Sequence, residues 1–304
     1  MRKHTWLLLT ALATAAARAS AHEGTSAEIA ALDRKIAASP GDASLLVQRA
    51  ALLRRQGRPA LALADLARAD ARSPGRRDVL LERGLTLWSA GDPRGAETAL
   101  DRFLSSGPPA PAALATRGQI REKTRRFEAA RADYDAAAHL RPDPEIYLAR
   151  GRADEAAGKL DRAAQGYEEA LSALSGATSV RLALVRVEAR RGHFTRARAL
   201  VDEVIAAAPR KADWLLLRAD LQTAAGDPAG AAADREAALR EIEAAMTRRH
   251  SDLTRLARAK ALLSLGRAPE ALSDLQAVAS RSPQLPEARD LLASARARLA
   301  RPRP

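Results

Sequence analysis

The sequence predicts an all-α fold of stacked helical hairpins, on three regularities that keep step with one another. A turn residue recurs at Gly57, Gly91, Arg125, Gly158, Gly192, Gly226 and Gly266, at separations of 34, 34, 33, 34, 34 and 40 residues. Five positions after each stands Ala62, Ala96, Ala130, Ala163, Ala197, Ala231 or Ala271, small wherever two helices must approach closely. Pro74, Pro108, Pro142, Pro209 and Pro283 close the stretches that follow, with Ser175 in the fourth copy and no proline in the sixth. Between these marks apolar residues fall at helical spacing, as Leu80, Leu81, Leu87 and Trp88 do before Gly91, and Ala96, Leu100, Phe103 and Leu104 after it. Gly91 suits a left-handed helix end, Asp92 an N-cap and Pro93 a first helical turn. A single hairpin cannot bury both its faces, so the copies must stack.

A period of 34 with a small residue in the first helix, alanine early in the second and proline at the end resembles the tetratricopeptide repeat family. The small first-helix slot holds Ala50, Gly84, Gly118, Gly151, Ala219 and Ala259, and the large second-helix slot holds Leu66, Leu100, Tyr134, Tyr167 and Leu275. The resemblance implies a right-handed α-α superhelix of about seven helix-turn-helix repeats, over 43–283, with repeats near 43–76, 77–110, 111–143, 144–177, 178–211, 212–251 and 252–285. Three departures are expected to alter local geometry only: Val185 in the small slot of the fifth repeat, Arg235 in the large slot of the sixth, and Arg125 at the third turn.

Taken in order, residues 1–21 carry Arg2 and Lys3, an apolar run from Trp6 to about Ala17, and Ala19-Ser20-Ala21. This is the pattern of a secretory signal peptide, whose cleavage would leave His22 first. The run falls short of the ~20 apolar residues that span a bilayer, which argues against an uncleaved anchor. Export to the periplasm or beyond, in a bacterium, is the localisation expected. Residues 22–42 form a leader and a capping helix, with Ile29, Leu32 and Ile36 on one stripe. The second helix of the sixth repeat runs without proline from about Ala229 to Thr247, so the six extra residues of that repeat form either a tolerated insertion or a docking element. Residues 286–300 form a single helix with Leu291, Leu292 and Leu299 inward, closing the stack against water. The tail 301–304 is expected to be disordered.

One spacing recurs inside the repeats. Arg49, Arg117, Arg218 and Arg258 are each followed sixteen residues later by Asp65, Asp133, Asp234 or Asp274, while Leu184 is followed by Leu200. Matched replacement predicts an arginine–carboxylate bridge between the two helices of those four repeats. Arg83 and Arg150 face Ala99 and Gly166 at the same spacing and lack the partner.

Catalytic chemistry finds little support. There is no cysteine, the five histidines stand at no ligand spacing, and no nucleophile elbow, phosphate loop or His-Glu-x-x-His occurs. Neither enzyme activity, cofactor nor metal is expected. The charge is +13, or +10 once Arg2, Lys3 and Arg18 are removed with the signal, which favours anionic partners. Aromatic residues at 3% are too sparse to form the stacking platform of a single-strand nucleic-acid binder, so no nucleic-acid partner is expected, nor a membrane span after cleavage.

The family resemblance implies a concave groove lined by first helices. Carried over by slot, one strip holds Val47, Leu81, Ala115, Leu148, Leu182, Leu216 and Leu256, and the next Ala51, Leu85, Gln119, Arg152, Arg186, Asp220 and Lys260, with Arg54, Trp88, Lys123 and Arg190 deeper. A protein or peptide partner, acidic if the arginines engage it, is the reading preferred. The alternatives are electrostatic binding of envelope polyanions and service as an accessory subunit of an envelope enzyme complex.

Overall fold

The computed structural model describes residues 24–174, 176–248 and 251–300. The predicted signal over 1–21, its junction at His22 and the tail 301–304 lie outside them. The described residues are helical hairpins joined by short turns. Helix α1 covers 24–38. It is followed by α2 (Ala43–Arg55), α3 (Pro59–Arg72), α4 (Arg77–Ser89), α5 (Pro93–Ser105), α6 (Pro111–Lys123), α7 (Phe127–Leu140) and α8 (Pro144–Ala156). Then come α9 (Leu160–Ala173), α10 (Thr178–Arg190), α11 (Phe194–Ala207), α12 (Ala212–Ala224), α13 (Pro228–Arg248), α14 (Asp252–Ser264), α15 (Ala268–Arg281) and α16 (Pro286–Ala300). Helices α1 to α8 fall in one compact unit and α10 to α16 in a second, with α9 divided between them.

Each hairpin ends its first helix as the turn slot requires. At Gly91 (φ 82°) the chain turns left-handed, and the N–H of Asp92 returns to the Leu87 carbonyl at 2.9 Å while that of Gly91 meets Trp88. Asp92 then caps α5, accepting the Gly95 N–H at 2.9 Å. Arg125 keeps the same left-handed conformation at φ 61° without being glycine, so the irregular third turn is strained rather than rebuilt.

Within a hairpin, the small slot of the first helix receives the large slot of the second. A Cβ on Gly84 would lie 2.7 Å from the Leu100 side chain, and one on Gly118 2.7 Å from the Tyr134 ring. Leu66, Leu100, Tyr134, Tyr167, Val201 and Leu275, all in that large slot, are buried.

The four bridges predicted from spacing are formed. Arg117 holds Asp133 through Nε at 3.0 Å and Nη2 at 2.6 Å, Arg218 holds Asp234 at 2.7 and 2.6 Å, and Arg258 holds Asp274 at 2.6 and 2.8 Å. Arg49 grips Asp65 with the same two nitrogens, and this bond holds its guanidinium above its ordinary pKa. Each aspartate is buried. A second partner lies sixteen residues upstream: Nη1 of Arg49, Arg117 and Arg218 reaches Asp33, Asp101 and Asp202 at 2.6, 2.7 and 2.6 Å. One guanidinium thus ties three helices, two of its own repeat and the last of the preceding one. Arg150, which lacks the forward partner, keeps the backward one, reaching Asp135 at 2.9 Å, and Arg83 turns to Asp70 at 3.2 Å. Asp33 on α1 stands where Asp101 stands on α5, so α1 plays the part of a second helix, with Leu32 and Ile36 buried.

Two expectations near the far end are corrected or decided. Leu299 is 45% exposed, not inward, because the stripe that Ala288, Leu291, Leu292 and Ala295 lay on the preceding hairpin ends before the last turn of α16. The extra length of α13 packs inward: Ile242 and Met246 join the core with Leu256 and Leu262, and Glu241 accepts the Lys211 N–H at 2.8 Å at the start of α12. It is an insertion absorbed by the core.

Two substitutions test the hairpin contact with opposite signs. Gly118→Ala is expected to lower stability by about 1–3 kcal/mol, because the buried Tyr134 ring has nowhere to move, although alanine is the better helix former. Arg125→Gly is expected to raise it by about 0.5–1 kcal/mol, by relieving the left-handed strain net of glycine's larger unfolded entropy. Denaturant melts read both. Acid supplies a third test. The Arg126 hydrogen bond holds Glu97 below the usual carboxylate range, Arg76 does so for Asp78, and the Gly75 N–H and then Arg83 do so for Asp70. Each stabilises the fold above the ordinary carboxylate pKa and loses that contribution as pH falls through its depressed value. The melting temperature should therefore fall below about pH 4, with a shallower fall in Glu97→Gln.

Candidate protein-binding faces

In the first unit the first helices α2, α4, α6 and α8 pack in succession. Because side chains three and four apart share a helix face, the slots carried over from sequence lie along one side of each of these helices. Val47 and Leu81 are half-buried, their inner edges against the hairpin cores, and Leu148 is half-buried as well. Trp88 donates its indole N–H to Gln119 on α6 at 3.2 Å, and Lys123 sets its ammonium 5.3 Å from the indole ring centroid. Arg152 is exposed and has no ion pair among the described residues. Arg54 differs: its Nε lies 2.6 Å from Glu82, a carboxylate only 7% exposed, so this cation is committed to joining α2 to α4. Tyr134, fully buried on α7, donates its hydroxyl to Glu122 on α6 at 2.9 Å, and burial followed by that carboxylate pushes the phenol's pKa up.

In the second unit Leu182 and Leu216 are half-buried and Arg186 and Arg190 exposed, Arg186 without an ion pair among the described residues. Leu256, assigned to the same apolar strip, is only 5% exposed, because Ile242 and Met246 of the lengthened α13 cover it. Lys260 is paired with Glu287 at 2.6 Å. The strip therefore stops at α12.

Arg235 is the residue that slot reasoning set aside as a local irregularity. It occupies the large slot of α13, from which Tyr134 reaches Glu122 in its own repeat, and it reaches the equivalent place on α12. Its Nη2 donates to Thr223 at 2.9 Å and to Asp220 at 3.3 Å. Among the described residues its Nε is buried without a hydrogen-bond partner, as is Oε1 of Gln222 on α12. An apolar residue would fill this slot at lower cost in desolvation. A leucine in the slot would bury apolar surface throughout, whereas Arg235 buries its methylene stem together with a polar head whose Nε finds no partner among the described residues. A bond to Asp220, which is 74% exposed, returns about 1 kcal/mol at most. The signal available in sequence was the slot itself: any polar group there emerges on the first-helix face.

No group of three or more His, Cys, Asp or Glu is arranged to hold a metal among the described residues. No described helix is long and apolar enough to cross a membrane.

Repeated hairpins with small-into-large packing define a helical-repeat protein. Tetratricopeptide repeat models match residues 81–145 and 116–178, and a second model of the same repeat matches 154–221. Residues 81–221 are therefore tetratricopeptide repeats. Among solved structures the chain is similar to a tetratricopeptide repeat protein from Parabacteroides merdae (19% identity, TM-score 0.51, covering 83% of this chain and 98% of that one). It is also similar to the C-terminal part of a repeat protein from Cytophaga hutchinsonii (16%, 0.61, 81% and 99%) and to yeast Tom70 (18%, 0.55, 91% and 59%). At these identities the likeness is one of fold. No curated protein sequence matches the chain.

The two kinds of cation should separate on mutation. Arg54→Ala leaves Glu82 buried without its guanidinium and is expected to cost roughly 1–3 kcal/mol, whereas Arg152→Ala should change stability by less than about 0.5 kcal/mol. Equal losses in a denaturant melt would show that Arg152 is structural too.

Proposed function

We propose that this chain is a non-enzymatic scaffold, exported from a bacterial cell, that binds a peptide or protein partner along the faces of its first helices. A tetratricopeptide fold implies protein or peptide partners, and the finer reading rests on one observation in the first unit. On α2, α4 and α8, Val47, Leu81, Trp88 and Leu148 present partly exposed apolar surface, with the smaller Ala115 between them on α6, while Arg152 and Lys123 stand beside it exposed. Apolar anchors with charges at their edge are what a peptide-binding surface requires. The second unit repeats the combination on a smaller scale with Leu182, Leu216 and Arg186.

The pairing of charges favours this reading over general polyanion binding. Arg49, Arg54, Arg117, Arg150, Arg218 and Arg258 are all engaged with carboxylates inside the fold, so the net charge overstates what a polyanion would meet. The export reading rests on the sequence of residues 1–21.

Bait comprising residues 22–304, incubated with envelope extract at low and moderate salt, tests the proposal beside Leu81→Asp and Leu182→Asp. A discrete protein retained at moderate salt and lost with either variant is the expected outcome. Recovery of bulk polyanion alone, released by salt and indifferent to both leucines, would replace the scaffold with an electrostatic binder.

A further inference from the structure

We infer that Arg235 is a ligand-binding residue, which the second helix of the sixth repeat passes through to the α12 face so that its guanidinium can take a side-chain carboxylate of an acidic peptide. The inference deepens the proposed function and rests on it. Four observations carry it. The slot is otherwise filled by buried leucine, valine or tyrosine, and the guanidinium sits there although an apolar residue would fill it at lower cost in desolvation. Nη2 is fixed by Thr223, whose own hydroxyl proton goes to the Ala219 carbonyl at 2.9 Å, so the fork is held in place before any ligand arrives. Nη1 has no hydrogen-bond or ion-pair partner among the described residues, and the side chain keeps 17% of its surface exposed. Asp220, the only carboxylate paired with this guanidinium among the described residues, is held by a single long contact of 3.3 Å and is itself exposed, so it leaves a monoanion room to bind at Nη1.

The charge of the face selects the ligand. Arg186 occupies, one repeat earlier, the slot that Asp220 occupies here, exposed and without an ion pair among the described residues. Arg186 and Arg235 against Asp220 leave one positive charge, which suits a carboxylate and disfavours a cationic peptide. Leu216, half-buried on the same helix as Asp220, supplies apolar contact for the stem of a glutamate. The planar fork suits a carboxylate better than an ammonium would.

The probe is a fluorescein-labelled, C-terminally amidated hexaglutamate, which carries side-chain carboxylates and no terminal one, titrated into the full chain by anisotropy. Hexaglutamine with a free C-terminus carries only the terminal carboxylate and serves as the second arm. Arg235→Leu restores the residue that Leu100 and Leu275 provide in their repeats, so it should fold with an unchanged or higher melting temperature. We expect it to weaken hexaglutamate binding roughly tenfold or more, the loss of a charge-assisted hydrogen bond. Asp220→Asn removes the resident carboxylate and should strengthen binding severalfold, and most of that gain should disappear when Arg235→Leu is present as well, which a general easing of charge repulsion would not produce. Three results overturn the inference: no binding of hexaglutamate, equal binding by Arg235→Leu, or tighter binding of hexaglutamine than of hexaglutamate. The scaffold reading fails separately, if the captured envelope protein is indifferent to Leu81→Asp and Leu182→Asp, so the two failures are told apart.

Discussion

The close approach of the two helices in each hairpin is the constraint from which the rest follows. Gly84 against Leu100 and Gly118 against Tyr134 leave no room for a further atom, and this fixes which residues of the two helices face each other. Once the large slot is pinned beneath the small one, the end of any long side chain in it emerges about one helical turn further along the first helix. Tyr134 therefore meets Glu122, and Arg235 meets Thr223. An apolar residue in the slot seals the hairpin, while a polar one delivers its head group to the first-helix face. Packing in one layer thus determines the chemistry of the next.

The arginine bridges show how far a single sequence can be read. The sixteen-residue spacing to Asp65, Asp133, Asp234 and Asp274 was legible because both partners belong to one repeat and change together, as Leu184 and Leu200 do. The backward partners Asp33, Asp101 and Asp202 stand at an equal spacing but belong to the preceding repeat's second helix, so a reading that treats each repeat as self-contained passes over them. With both arms in view, Arg150 is no longer an exception. Its forward partner is Gly166, and it uses Asp135 behind it instead. These bridges take three helices at a time and so carry register from one repeat to the next, which hairpin packing alone does not do.

The candidate binding faces were legible as positions and illegible as states. Slot counting placed Val47, Leu81, Trp88, Leu148, Leu182 and Leu216 on first-helix faces because every repeat shares one geometry. It gave no account of Arg54, since its engagement with Glu82 depends on a residue that only the second repeat supplies. It left Leu256 on the strip because the six added residues of the sixth repeat were counted as length, whereas Ile242 and Met246 turn that length inward and cover it. In each case the information lay in a neighbouring repeat, outside the period that made the fold readable.

Charge follows the same logic. The sequence reports a net excess of basic residues, and a sum cannot separate a guanidinium closed on two carboxylates from one that faces water. Arg117, joined to Asp133 and Asp101, offers an incoming anion almost nothing, because its donors are already taken. Arg186 and Arg152 keep theirs. Arg235 lies between these cases: among the described residues one of its nitrogens is engaged and the other two have no partner. A side chain in that intermediate state gains more from a ligand than either extreme does. It has donors left to use, and its fork is already held by Thr223, so little conformational entropy remains to be lost on binding.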